Sequence, residues 1–86
     1  MNFEIDKFKK RLIYRSQYRG TKEMDKLIGT FVKEYINNLD NNGLIELEKF
    51  LEIDDDVLYK FYNNEKTEFD IKENKITNLF KNFVYK

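Results

Sequence analysis

The sequence contains neither cysteine nor histidine, and these absences exclude several kinds of chemistry. The chain has no disulfide bond, no thiolate nucleophile, no imidazole base and no zinc site of the Cys/His type. A carboxylate, a lysine or a tyrosine could still act in catalysis, but 86 residues leave little room for a pocket that tunes such a group. We therefore expect that the chain is not an enzyme by itself.

The chain also lacks a net charge, since it has 16 basic and 16 acidic side chains. This balance argues against a general binder of nucleic acid or of acidic membranes. The distribution is uneven: residues 1–43 hold nine basic and six acidic side chains, whereas residues 44–86 hold seven and ten. A basic first half and an acidic second half indicate a polar surface with one basic and one acidic region rather than a tract that binds nucleic acid.

Long apolar runs are absent as well, and none approaches the ~20 residues of a membrane span. Residues 1–10 have no apolar stretch typical of a signal peptide. Glu4 and Asp6 are unlike a mitochondrial transit peptide, which avoids acidic residues. We therefore expect a bacterial cytoplasmic protein that does not bind membranes.

Aromatic residues, in contrast, are plentiful: the chain has eight Phe and six Tyr. A chain of this length forms one domain, residues 1–86, and buries only about 60% of its unfolded surface. Large rings supply much buried area per residue, which suits a small core without disulfides.

Apolar residues recur three and four positions apart in five segments, which is the pattern of amphipathic helices. The strongest pattern has its apolar positions at Met24, Leu27, Ile28, Phe31, Val32 and Tyr35. No alternating strand pattern competes with it. The sequence predicts an all-α fold, a compact bundle of about five short helices. They are expected at residues 5–18, 22–37, 44–52, 55–62 and from 71 toward the C-terminus.

Local residues indicate where these helices begin and end. Thr21 is a good N-cap for the second helix, and Asp70 with Glu73 resembles a capping box before the fifth. Residues 37–43 have the composition of a turn. Gly29 lies inside the second helix, where it can allow a close crossing with a neighbour.

Three stretches of the sequence follow one another at characteristic distances. Residues 11–25, RLIYRSQYRGTKEMD, join a basic helix to Arg-Gly-x-x-Glu-x-Asp at the start of the next helix. Residues 27–31, LIGTF, and 51–59, LEIDDDVLY, continue the pattern. Together they resemble the FAD assembly factors of succinate dehydrogenase, the flavinylation factors. The short motif alone is a weak signal, whereas the whole set is far more specific.

The resemblance implies an accessory factor, a chaperone that binds the flavoprotein subunit of succinate dehydrogenase and promotes covalent attachment of FAD. The flavoprotein subunit of fumarate reductase is a further partner that the resemblance allows. The partner carries both the FAD and the histidine that becomes linked to it, so this chain binds no cofactor stably. We expect it to be a monomer when alone.

The resemblance further implies a partner-binding surface around the Arg-Gly-x-x-Glu motif. Its residues are Arg19, Gly20, Glu23, Lys22, Asp25, Arg15, Tyr18 and Tyr14.

Each of these residues also has a simpler structural interpretation. Gly20 is typical of a helix end in the left-handed region. Arg19 could be a solvated charge that suits the dipole at the end of a helix, and Glu23 could suit the dipole at the start of the next. Tyr14 and Tyr18 could cover a thin core.

The acidic run at residues 54–56 predicts a turn and a cap for the fourth helix rather than a metal site. A calcium loop would need further oxygen ligands at defined offsets, and the sequence does not provide them. We expect no metal ion.

Two other classes of function stay open. The Lys/Arg-rich first helix and the helix-turn-helix order of the first two segments are compatible with a small nucleic-acid-binding domain. The neutral net charge opposes that interpretation. A plain homo-oligomerising bundle is the other alternative.

Overall fold

Five α-helices and one short 3₁₀ helix make up the part of the chain that the computed structural model describes, residues 3–66 and 71–85. The helices are α1 (Phe3–Gln17), α2 (Lys22–Tyr35), the 3₁₀ helix (Ile36–Asn38), α3 (Asn41–Leu51), α4 (Asp55–Tyr62) and α5 (Lys75–Lys81). The described residues contain no strand. The predicted all-α bundle of about five helices is confirmed. None of the described helices is long and apolar enough to cross a membrane.

Helix α2 begins where the sequence predicts, and helix α3 does not. The Thr21 hydroxyl accepts a hydrogen bond from the Met24 N–H at 3.2 Å, so the predicted N-cap is confirmed. Helix α3 begins at Asn41, three positions before the predicted start. The Asp40 carboxylate accepts from the Gly43 N–H at 2.8 Å and caps the helix there. The prediction of a turn throughout residues 37–43 is therefore wrong for its second half.

Helix α5 begins at Lys75, and the prediction of a helix from residue 71 onward is wrong. Asn74 and Thr77 form a reciprocal capping box: the Asn74 Oδ1 accepts from the Thr77 N–H at 2.9 Å, and the Thr77 hydroxyl accepts from the Asn74 N–H at 2.8 Å. This pair fixes Asn74 in an extended conformation and sets the first turn after it. Of the pair predicted for this role, Asp70 lies outside the described residues.

Helices α1 and α2 cross closely at Gly29, as the sequence predicts. A Cβ atom at Gly29 would lie 3.3 Å from the Gln17 Cγ and 3.7 Å from the Ser16 carbonyl oxygen. Ser16 is fully buried at this crossing, and its hydroxyl donates to the Ile13 carbonyl at 2.6 Å. The missing side chain at Gly29 therefore lets the end of α1 pack closely against α2.

The core is built around aromatic rings. The Phe31 ring lies between 5.2 and 5.6 Å, centroid to centroid, from the rings of Tyr35, Phe50, Phe80 and Phe83. These rings come from α2, α3, α5 and the segment after α5, so one cluster joins elements from both halves of the chain. Aromatic pairs of this kind contribute about 0.5–1.5 kcal/mol each beyond the area they bury. The predicted role of the rings in a small core is confirmed.

Candidate functional site

The turn between α1 and α2 carries the Arg-Gly-x-x-Glu motif, and its backbone requires glycine. Gly20 has a φ of +122°, a conformation that a residue with a side chain rarely adopts. A Cβ atom there would approach only the Asp55 Oδ2, at 4.0 Å, so the requirement is conformational and not a lack of space. Gly20 is exposed. The predicted positive φ is confirmed, but Gly20 is not the helix end, because α1 ends at Gln17. Its contact with a partner stays a prediction.

The Arg19 side chain is mostly enclosed by other parts of the chain, so its interpretation as a solvated charge is wrong. Only 10% of the side chain is exposed, and its Nε donates to the Asp55 Oδ1 at 2.7 Å. The two terminal nitrogens donate to the carbonyl oxygens of Leu51 and Ile53, the latter at 2.6 Å. We call these four residues the Arg19 cluster. It joins the α1–α2 turn to the corner between α3 and α4.

The backbone of Arg19 is held from the other side by Asp25. The Arg19 N–H donates to the Asp25 Oδ1, and Asp25 is half-buried in the first turn of α2. The α1–α2 turn is thus fastened twice, by a side chain to the α3–α4 corner and by a backbone N–H to α2. For Arg19 and Asp25 the structure therefore provides partners inside the chain, and a direct contact with another protein stays a prediction.

Lys22 and Glu23 are the charged residues of this region that face solvent. Both are exposed in the first turn of α2. Glu23 also borders a groove of about 460 Å³, which is lined further by Lys26, Leu27, Tyr59, Tyr62, Asn63 and Tyr85. The position of Glu23 at the start of α2 suits the helix dipole, as predicted. Its carboxylate can in addition reach a molecule that lies against the turn or in the groove.

The sequence reasoning did not identify Tyr59 and Tyr85 as candidates for a surface. Tyr59 is 50% exposed and Tyr85 is 41% exposed. Tyr59 lies outside the apolar stripe of α4, between Leu58 and Lys60, and an aromatic residue outside such a stripe is the signal that could have pointed to it. The hydroxyl of Tyr62 donates to the Phe83 carbonyl at 2.6 Å and holds the C-terminal segment beside this groove.

Tyr14 on α1 and Tyr18, the residue that follows α1, form an exposed aromatic pair, so the alternative that they cover the core is wrong. They are 63% and 67% exposed, and their ring centroids lie 4.5 Å apart. Tyr18 also borders the Arg19 cluster. Arg15, between the two tyrosines in sequence, is half-buried. Exposed aromatics beside arginine are typical of protein-binding surfaces. The structure therefore brings Tyr14 and Tyr18 together near the turn.

The acidic residues 54–56 have separate roles. Asp54 occupies the N-cap position of α4, although its side chain makes no capping hydrogen bond. Asp55 pairs with Arg19, and Asp56 is exposed. Within residues 3–66 and 71–85, no group of three or more acidic side chains is arranged to hold a metal ion.

Residues 10–84 match the family model described as "Flavinator of succinate dehydrogenase". The chain belongs to this family. The match includes the α1–α2 turn, the Arg19 cluster and the C-terminal half of α1. The resemblance inferred from residues 11–62 is therefore confirmed. No solved structure matches the chain.

Curated relatives are named "Succinate dehydrogenase assembly factor 2, mitochondrial". The protein from Candida glabrata is 38% identical over 68 residues, which cover 78% of this chain and 44% of that protein. The protein from Saccharomyces cerevisiae is 37% identical over 67 residues, covering 77% and 41%. The one from Arabidopsis thaliana is 39% identical over 51 residues, covering 59% and 27%. This flavinator-family chain spans less than half the length of these relatives.

These names also correct the expected localisation. The prediction of a bacterial cytoplasmic protein is wrong, because the relatives that match are mitochondrial proteins of eukaryotes. That prediction rested on the composition of residues 1–10. A compartment is not encoded in the helical pattern of a folded domain, so the rest of the sequence could not correct it.

Proposed function

We propose that this flavinator-family chain binds the flavoprotein subunit of succinate dehydrogenase and promotes covalent attachment of FAD to it. The observation that carries the proposal is the family match over residues 10–84, which contains the whole Arg-Gly-x-x-Glu turn. The names of the relatives, which are succinate dehydrogenase assembly factors, support succinate dehydrogenase as the partner.

The proposed contribution of this chain is docking and orientation. It has no cysteine or histidine to act as a nucleophile or an imidazole base. In the proposal the partner supplies the FAD and the histidine that is linked to it. By binding one conformer of the partner, the chain holds these two groups in a reactive arrangement. Such an accessory factor needs a rigid surface more than it needs a deep pocket.

The exposed residues of the turn suit this role. Gly20, Lys22 and Glu23 offer a partner an open backbone and two opposite charges within one turn of chain. The pair of Tyr14 and Tyr18, whose rings are tilted by 31° to each other, adds an exposed aromatic surface at the end of α1. The contact between the two rings already restrains these tyrosines, which lowers the conformational entropy lost when a complex forms.

The test of the site uses Glu23→Ala with a matched control, Glu34→Ala. Both glutamates are exposed on α2, but Glu34 lies near the other end of the helix. The apo flavoprotein subunit, FAD and each variant are mixed, and covalent flavin is followed by in-gel fluorescence. We expect Glu23→Ala to lower the rate about ten-fold, since a charged contact in an interface contributes about 1–3 kcal/mol.

Glu34→Ala should match the unmodified chain. Equal rates for Glu23→Ala and Glu34→Ala would remove Glu23 from the proposed surface. The same assay with the fumarate reductase flavoprotein subunit in place of the first partner asks whether the chain also serves that protein.

A further inference from the structure

We infer that Asp55 is a positioning residue for the Arg-Gly-x-x-Glu turn, and that it acts through Arg19 without contacting the partner. The inference rests on the proposed function, because it concerns how the surface in that proposal is held in place. It assigns a role to a residue 36 positions away from Arg19, outside the motif.

The first step is that each of the three side-chain nitrogens of Arg19 already donates a hydrogen bond within the chain. Its Nε donates to Asp55, one terminal nitrogen to the Leu51 carbonyl and the other to the Ile53 carbonyl. Only 10% of the side chain is exposed, so the guanidinium offers a partner carboxylate little accessible surface while these bonds are made. A guanidinium is a planar fork with fixed donor directions, so its three acceptors also fix its orientation.

The second step is that Asp55 supplies the charge that keeps Arg19 inside. Leu51 and Ile53 contribute backbone carbonyls, which are neutral, whereas the Asp55 carboxylate balances the guanidinium at 2.7 Å. Burying a cation without a counter-charge is unfavourable. Without Asp55 we expect Arg19 to turn toward solvent and the link between the turn and the α3–α4 corner to open.

The third step connects this link to the exposed surface. Gly20 follows Arg19 directly, and Glu23 lies three residues after Gly20, in the first turn of α2. When the side chain of Arg19 is released, the turn is held by the Arg19 N–H bond to Asp25, by the cap at Thr21 and by the Thr21 carbonyl, which accepts from the Asp25 N–H at 2.9 Å. A partner must then order the turn as it binds. Fixing one residue of backbone costs about as much free energy as a ten-fold change in affinity.

A direct contact of Arg19 with the partner would have a different consequence. In that case removing Arg19 would lower the affinity for the partner. Removing Asp55 would leave the affinity unchanged, or would raise it by freeing the guanidinium. In the positioning role, loss of either residue has the same effect. Loss of both is then no worse than loss of one, because they act as a unit.

The experiment measures flavinylation of the apo flavoprotein subunit against the concentration of Arg19→Ala, Asp55→Ala, the double variant and Asp55→Glu. Asp56→Ala is the matched control, since Asp56 is the next residue, carries the same charge and is exposed in the same turn of α4. All variants are assayed well below the unfolding temperature that circular dichroism gives for each.

We expect Arg19→Ala, Asp55→Ala and the double variant each to need about ten-fold more protein for half-maximal rate. The rate at saturation should recover. A smaller folded fraction would also raise the amount of protein needed, so circular dichroism measures the folded fraction of each variant in parallel. Asp56→Ala should stay within two-fold of the unmodified chain. Asp55→Glu, which restores the charge, should recover most of the affinity.

An Arg19→Ala variant that loses affinity beside an unaffected Asp55→Ala variant would overturn the inference. Failure of the proposed function is distinguishable, because the unmodified chain would then give no stimulation at all. In that event amide hydrogen exchange still tests the positioning role. The amides of Arg19 and Met24, which donate to the Asp25 carboxylate and to the Thr21 hydroxyl, should exchange faster in Asp55→Ala than in Asp56→Ala, and equal exchange would contradict it.

Discussion

The Arg19 guanidinium donates to acceptors that lie 32, 34 and 36 positions later in the chain. Its local sequence, at the end of a helix and before Gly20, predicts a solvated charge that suits the helix dipole. Nothing close to it in sequence indicates that residues 51–55 fold against it. The need for glycine at position 20 is local and could be predicted, whereas the burial of Arg19 depends on how distant helices pack and could not.

Replacing Arg19 by lysine tests the contribution of the cluster to stability. Arg19→Lys keeps the charge but loses the planar fork, and one ammonium group cannot serve three acceptors in these directions. We expect the free energy of unfolding to fall by about 1–3 kcal/mol, as for other polar groups left without their charged partner. Urea denaturation followed by circular dichroism measures it. Arg11→Lys, exposed on α1, should change it by less than about 0.5 kcal/mol.

At the scale of the helices, the sequence predicts the start of α2 correctly and the start of α5 wrongly. The spacing of the apolar residues in α2 predicts which face of the helix is buried, and Thr21 caps the helix as expected. Two polar pairs compete for the start of α5, namely Asp70 with Glu73 and Asn74 with Thr77. Residue types favour the first pair, since acidic residues are common in capping boxes. In the structure α5 is capped by the second pair, in which each side chain accepts a hydrogen bond from the other residue's backbone N–H.

The capping box of α5 gives a prediction at this scale. Asn74→Ala removes the side chain that accepts from the Thr77 N–H, and we expect a loss of about 1 kcal/mol in the free energy of unfolding. Asn78→Ala is the control, because Asn78 is exposed inside the same helix and alanine is a better helix former. Urea denaturation compares the two. A loss no larger for Asn74→Ala than for Asn78→Ala would show that the box does not stabilise α5.

At the scale of the whole molecule, the aromatic cluster around Phe31 holds the helices together. The composition predicts that rings fill the small core, and the helical periodicity places Phe31 on the inner face of α2. Which rings meet is decided by helix packing, so the contacts of Phe31 with Phe50, Phe80 and Phe83 could not be predicted. The partner surface belongs to this scale too, because it depends on the relative positions of α1, α2 and α4.

Truncating the central ring should be the most damaging of the substitutions considered. Phe31 is 1% exposed, and Phe31→Ala leaves a cavity among four other rings. We expect the free energy of unfolding to fall by about 3–5 kcal/mol. That loss is a large part of the total stability of a domain this small. Thermal unfolding measures it, and Tyr14→Ala, which removes an exposed ring, should change the midpoint little. Similar losses for both variants would contradict the assigned core.

The most direct measurement of the central claim is reconstitution from purified components. The apo flavoprotein subunit of succinate dehydrogenase is incubated with FAD, with and without the unmodified chain, and covalent flavin is followed over time by in-gel fluorescence. The account predicts that the fluorescent band forms faster in the presence of the chain and that its rate rises with the chain's concentration until the partner is saturated. Equal rates with and without the chain would contradict it.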